Sequence, residues 1–296
     1  MTADDSPATS DAAAATGDSP PVDDRLRVLS FNVRYDTEAD GERAWHARRD
    51  LVASVVRFHR PDVVGLQEPL AHQFADLRER VPGYAWVGVG RLDGGTAGEF
   101  GPVGLRADRF DVRDDGAFWL SETPEAPGSV GWDADCPRMI TWARARDRRT
   151  GGAFVAANTH FDHRGERARE RGAVLARERL DDVAGGDPVI LTGDLNCTPG
   201  SLPVALLTDA EGPGRRLVDA AAAATWPRHG PSATFDQFGG DPDRRIDYVL
   251  VSPEVAVHQF GVIADHWDGR VPSDHRPVLA EVSLPDGGDG QRGGSE

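Results

Sequence analysis

Apolar runs in this sequence repeatedly end in side chains that hold cations or move protons. Val189, Ile190 and Leu191 lead through Thr192 and Gly193 to Asp194 and Asn196 in "LTGDLN". Asn32 closes "SFN", Glu68 closes "LQE", Asn158 and His160 stand in "NTH", Asp247 in "RIDYV", and Asp274 and His275 adjoin in "SDH". A single Asn or Asp at a strand end is most often a turn former or cap, and a single His there most often serves structure. Their recurrence changes the weighting, because one concave site at the ends of packed strands accommodates them all. Oxygen donors without thiolates suit a hard cation, Mg²⁺ or Mn²⁺. A further carboxylate can orient or deprotonate water, and a histidine can offset charge developing on phosphoryl oxygens. Phosphoester hydrolysis is a reaction that needs this set.

The elements that must position these residues alternate between two periods. Strand-like stretches run over 25–34, 61–68, 153–161, 244–252, 255–263 and 276–284, with a further strand leading into Gly193. Between them, Leu51, Val55 and Phe58 form one helical stripe, and Ala173, Ala176, Leu180 and Val183 another. On the strand at 153–161, Asn158 and His160 project to one face and Thr159 to the other. Near-continuous apolar strands imply sheets covered on both faces. Two packed sheets with helices outside, an α/β sandwich, meet that demand. A doubly wound sheet is the rival, but no Gly-rich phosphate loop follows the first strand. With no repeat and no internal linker, one domain over 25–284 is expected, between an acidic disordered leader (1–24) and a flexible tail (285–296).

Composition narrows the partners. The formal charge is −16, and all 33 basic residues are arginine. An acidic chain does not grip nucleic acid through a broad basic surface, and arginine with abundant Asp suits a salt-adapted, halophilic source. No signal sequence or apolar span of membrane length is found, so a cytoplasmic location is expected. Two cysteines, Cys136 and Cys197, build neither a disulfide framework nor a thiolate zinc site. Cys197, one residue past Asn196, reads as a small buried apolar side chain rather than a nucleophile.

The motifs "SFNVRYD", "GLQE", "NTHFDHRG", "TGDLN", "RIDYVL" and "PSDHRPV", spanning residues 30–278 in order, resemble the endonuclease/exonuclease/phosphatase superfamily of metal-dependent phosphoesterases. That resemblance implies a four-layer α/β/β/α sandwich with the site at one edge of both sheets. It assigns the cation to Glu68, helped by Asn32 and Asp274. Asp194 would orient and activate water, with Asn196 fixing its geometry. His160 and His275 would touch phosphoryl oxygens, and Asp247 would orient His275. Asn158 and Arg138 are expected to bind substrate, Arg138 as a bidentate phosphate clamp or, equally, in a surface ion pair.

"GVGRLDGGTAGEF", "GAFWLSETPEAPGSVGWDADCPR" and "HWDGRVPSDHRPV" resemble one bacterial and archaeal branch of the superfamily, a relative of which acts on a phosphorylated sugar. Trp132 and Asp133 are then expected in loops beside the metal. Gly104 and Leu105 depart from the aromatic expected after "GPV" at a pocket wall. The sequence-level expectation is a monomeric phosphomonoesterase for a small phosphorylated substrate, with long loops around 90–138 capping its pocket and no stable complex with nucleic acid or membrane. A phosphodiesterase or nuclease of the same fold is the alternative, and a non-catalytic binding protein the remote one.

Overall fold

The computed structural model describes residues 24–240 and 243–285, so the leader and tail expected at the two ends fall outside the described residues apart from Asp24 and Pro285. The chain forms β1 (Leu26–Asn32), α1 (Trp45–His59), β2 (Val63–Gln67), α2 (Ala71–Arg80), β3 (Tyr84–Val87), β4 (Val103–Arg106), β5 (Phe110–Trp119), β6 (Met139–Asp147) and β7 (Ala153–His160). It continues through α3 (Glu166–Ala184), β8 (Val189–Asp194), α4 (Leu202–Thr208), β9 (Val218–Asp219), α5 (Ala220–Ala223), β10 (Asp247–Val251), β11 (Ala256–Val262) and β12 (Val278–Ser283). Two mixed six-stranded sheets result, ordered β11-β12-β1-β2-β4-β3 and β5-β6-β7-β8-β10-β9.

Strand periodicity divides the apolar residues into three cores. On β1, Leu26 and Val28 face the second sheet, whereas Leu29 and Phe31 face α1 and α2. On β8, Ile190 faces the first sheet, and Val189 and Leu191 face α3 and α4. The layers are therefore helix, sheet, sheet, helix, the sandwich expected from the sequence.

The inner faces change character along their length. They read Leu26, Val28, Ser30, Asn32 on β1; Val63, Gly65, Gln67 on β2; Phe154, Ala156, Asn158, His160 on β7; and Ile190, Thr192, Asp194 on β8. β10 runs the other way, from Asp247 to Val249 and Val251. The core between the sheets is thus apolar at one end and polar at the other, and the polar end holds the candidate site.

Three expectations change. Phe58 is 79% exposed, because α1 packs through Val52, Val55 and Val56 rather than the stripe through Leu51 and Phe58. The region 90–138 is not all loop, since β4 and the ten-residue β5 lie within it. Gly104 lies under Trp86, whose ring atoms would stand 2.5–2.8 Å from any Cβ placed there. Trp86 supplies the aromatic bulk that an aromatic after "GPV" would have brought.

Candidate active site

Register alone brings three of the expected residues into a row. His160 on β7 and Asp247 on β10 both pair with Asp194 on β8 between them. In the facing sheet Asn32 pairs with Gln67, and Glu68 follows at the strand exit with φ of 74°. A left-handed backbone is rare for a non-glycine residue, and such strain concentrates at functional sites. Asn32 joins the two sheets: its Nδ2 donates to Glu68 Oε1 at 2.9 Å and to Asp194 Oδ2 at 3.0 Å. Its Oδ1 accepts from the Arg34 backbone N–H at 3.0 Å. Asn32 thus holds the two carboxylates apart, a different duty from the cation ligand the resemblance implies.

Asp194 is buried, and its Oδ1 accepts the Asn196 N–H at 2.9 Å. The same left-handed turn (Asn196 φ 49°) carries Asn196 Nδ2 to His160 Nε2 and the Phe161 carbonyl, each at 3.0 Å. Because His160 Nε2 accepts, the ring proton sits on Nδ1. Burial and the nearby Arg138 and Arg91 hold the His160 pKa well below the usual histidine range, so this imidazole is neutral.

His275 takes the opposite charge. Burial alone would lower its pKa, but Asp247, whose Oδ2 lies 2.9 Å from Nδ1, and Asp194, 3.7 Å from Nε2, raise it to about 10. Burial raises Asp194 to about 7, with Asp247 adding to the rise and His275 opposing it. Asp274 is also raised by burial, and Glu68 contributes to the rise. Its Oδ1 accepts from Ser273 Oγ at 3.2 Å, and that hydroxyl also reaches the Asn32 carbonyl at 2.7 Å.

The donor set fits a hard divalent cation. Glu68, His160 and Asp194 present ligand atoms within 4.8 Å of one another, as do Asp194, Asp247 and His275. Buried carboxylates with raised pKa values are the environment that such a charge relieves. Glu68 and Asp194 are the carboxylates that would hold the cation, and once bound it would polarise a phosphoryl oxygen and lower the pKa of water. Asp274 belongs to neither group.

Asn158 is buried between the sheets. Its Oδ1 accepts from Gln67 Nε2 (2.6 Å) and Thr192 Oγ1 (3.0 Å), and its Nδ2 donates to the Leu66 (2.6 Å) and Pro102 (3.3 Å) carbonyls. Both donors and both acceptor positions are used on protein, so Asn158 fastens the sheets together instead of binding substrate. Asp133 likewise caps α3, accepting from Ala168 N at 2.7 Å and Arg167 N at 3.3 Å, and Trp132 beside it is half-buried. Cys197 is buried in the outer core and its pKa is pushed up to about 11 by burial, leaving an inert thiol.

Arg138 is buried, not on the surface. Its Nη2 meets His163 Nδ1 at 3.1 Å, its Nε lies 3.5 Å from Asp162 Oδ2, and Nη1 has no partner. It lines a pocket with Arg91, Glu99, Phe100, Gly101, Pro137, Met139 and His160. Arg91 and Glu99 form an ion pair at 2.6 Å, and Glu99 Oε2 stands 4.0 Å from His160 Nδ1. Burial, then Glu68, raises Glu99 to about 7. Neither residue was singled out from the sequence. They sit in a loop without periodicity, and only the segment "GVGRLDGGTAGEF" containing them was distinctive.

Two packed sheets with paired carboxylates, a buried imidazolium and an amide at their common end define a metal-dependent phosphoric ester hydrolase. The chain belongs to the Endonuclease/Exonuclease/phosphatase family, whose model matches residues 29–275. An endonuclease/exonuclease/phosphatase structure from Bacteroides vulgatus is 40% identical over 88% of this chain and 99% of its own, with a TM-score of 0.84. The Bacteroides thetaiotaomicron mannosyl-6-phosphatase is 35% identical over 88% and 100%, with a TM-score of 0.82. The human Nocturnin catalytic domain, 18% identical over 88% and 94%, shares the fold with a TM-score of 0.68.

Proposed function

We propose that the protein is a phosphomonoesterase for a small or sugar-linked phosphate, using Mg²⁺ or Mn²⁺. The observation that carries this is the pocket beside Asp194. Three buried donors that line it, Arg91 Nε, Arg138 Nη1 and His160 Nδ1, lack hydrogen-bond partners. An unpaired buried donor costs about 1–3 kcal/mol, so three converging on one pocket point to an acceptor-rich ligand. The loop that carries Arg91 is anchored to β5, Trp119 Nε1 donating to the Arg91 carbonyl at 2.7 Å. A donor-rich recess of this kind beside the candidate cation site suits a terminal phosphate on a small molecule better than a polymer backbone. The mannosyl-6-phosphatase relative is consistent with it, and the acidic charge opposes a stable nucleic-acid complex.

In this reading Asp194 takes the proton from the attacking water, held in place by Asn32 and the Asn196 N–H. His275, protonated against Asp247, faces charge developing on the phosphoryl oxygens. His160 donates from Nδ1 without adding charge. The test is phosphate release in high salt with Mg²⁺ or Mn²⁺ over sugar phosphates, nucleotides, inositol phosphates and an abasic-site duplex, with Asp194→Asn as control. Release from a small monoester that the control abolishes is expected. Strand cleavage without monoester hydrolysis would make it a nuclease, and silence throughout would remove the catalytic assignment.

A further inference from the structure

The pocket beside the catalytic row offers more than anion-binding donors. Glu99 lines the same wall as Arg91 and Arg138, and its side chain is only 14% accessible. Its Oε2 accepts from Arg91 Nη1 at 2.6 Å, whereas Oε1 has no protein donor among the described residues. The loop that carries it is fixed. Leu70 bridges Glu99, Gly90 bridges Phe100, and Arg91 N–H donates to the Glu99 carbonyl at 3.0 Å. The carboxylate is held at the pocket rather than swung into it by chance, and Arg91 pins one oxygen so that the other remains available.

Holding Arg91 occupies one oxygen of this carboxylate, and a pocket built only for phosphate has no use for the other. A phosphate dianion accepts hydrogen bonds and donates none, and a carboxylate beside it adds repulsion. A hydroxyl both donates and accepts, so it satisfies Glu99 in either protonation state. With His160 Nδ1 turned to the phosphoryl group, it also accepts from Arg91 Nε or Arg138 Nη1, donors left unpaired in the same pocket. Adjacent hydroxyls on one carbon skeleton would use this alternation of acceptor and donors most fully.

We infer that Glu99 is a specificity-determining residue that reads the hydroxyls of a polyol leaving group, so that the pocket selects phosphorylated polyols over esters without hydroxyls. This rests on the phosphomonoesterase reading and deepens it. The experiment compares kcat/KM for mannose 6-phosphate, ribose 5-phosphate and glycerol 3-phosphate with that for phenyl phosphate, in wild type and Glu99→Gln. The ratio of the best polyol ester to phenyl phosphate is expected to fall about 10- to 100-fold in the variant, the scale of one hydrogen bond to a charged group. An unchanged ratio, whatever the absolute rates, overturns the assignment. Should the variant not fold, deoxy analogues of the best ester, tested on wild type, read the same contact: at least a tenfold loss on removing one hydroxyl supports it, and equal rates across the series overturn it. If wild type hydrolyses no ester, the phosphatase reading fails by itself. Saturation-transfer NMR with mannose then decides the polyol pocket: signals present with wild type and lost in Glu99→Gln retain it, and equal or absent signals reject it.

Discussion

Asp194 is the residue on which both sheets converge. It touches Asn32 from one sheet, pairs in register with His160 and Asp247 in the other, and receives the Asn196 N–H. Asp194→Asn keeps the shape and removes the base, so turnover is expected to fall by about 10²–10⁴-fold. Because burial disfavours its charge, the cation-free variant should melt no lower than wild type; calorimetry in chelator checks this, and a large drop would make Asp194 structural. His275 provides a pH test. Its folded pKa is raised, so its contribution to stability is complete below the unfolded value of about 6.5 and is lost as pH rises toward about 10. Asp247→Asn removes the partner that raises it, and urea titrations of the cation-free protein from pH 6.5 to 10 should show a flatter pH dependence in that variant. The polar strand ends made this row legible in the sequence. Glu99 and Arg91 were not, because nothing local marks a loop carboxylate that acquires meaning only when folding sets it beside His160.

At the scale of elements, the site is where the inner faces of five strands turn from apolar to polar, and close approach of the sheets makes that turn. Gly65 on β2 is the contact point: a Cβ there would stand 1.9 Å from Thr192 Oγ1 and 2.6 Å from Asn158 Oδ1. Gly65→Ala must push β2 from β7 and β8, so a loss of about 1–3 kcal/mol by urea denaturation is expected, with activity falling as Asn32 and Asp194 separate. Helix α1 fastens the same end from outside. Buried Arg48 donates to the carbonyls of Arg43, Val33, Arg34 and Pro272 at 2.6–3.1 Å, tying the exit of β1 to the segment before Ser273 and Asp274. Arg48→Lys cannot reach four acceptors in a fork, and it is expected to destabilise by about 2–4 kcal/mol and to raise KM and the cation concentration needed for activity. Most strands bearing the site were legible because period and composition agreed. β5, "FDVRDDGAFW", was hidden because this edge strand is polar and partly exposed along its middle, so neither alternation nor an apolar run marks it. The α1 stripe was right at Val55 and wrong at Phe58, because Leu51, Val52, Val55 and Val56 are all aliphatic and only packing against the sheet selects which of them face inward.

For the whole molecule, charge and stability meet at the cation. The chain carries −16 formally, and Glu68, Glu99, Asp194, Asp247 and Asp274 converge on one end of the sandwich. Arg34, Arg48, Arg91 and Arg138 compensate them in part, but Asp194, Asp274 and Glu99 still show raised pKa values, the mark of buried charge not fully balanced. A divalent ion that binds only the folded chain therefore stabilises it by mass action. At a hundredfold excess over Kd the gain is about 2.7 kcal/mol, which for a domain of this size raises Tm by about 5–10 °C. Thermal melts with Mg²⁺ and with Mn²⁺, against chelator, measure that shift without any substrate. Glu68→Gln should weaken it more than Asp274→Asn, since Glu68 shares a ligand cluster with Asp194 and His160 and Asp274 does not. An equal loss in both variants would instead place Asp274 in the coordination sphere and return the cation to the Glu68, Asn32 and Asp274 set that the family resemblance implies.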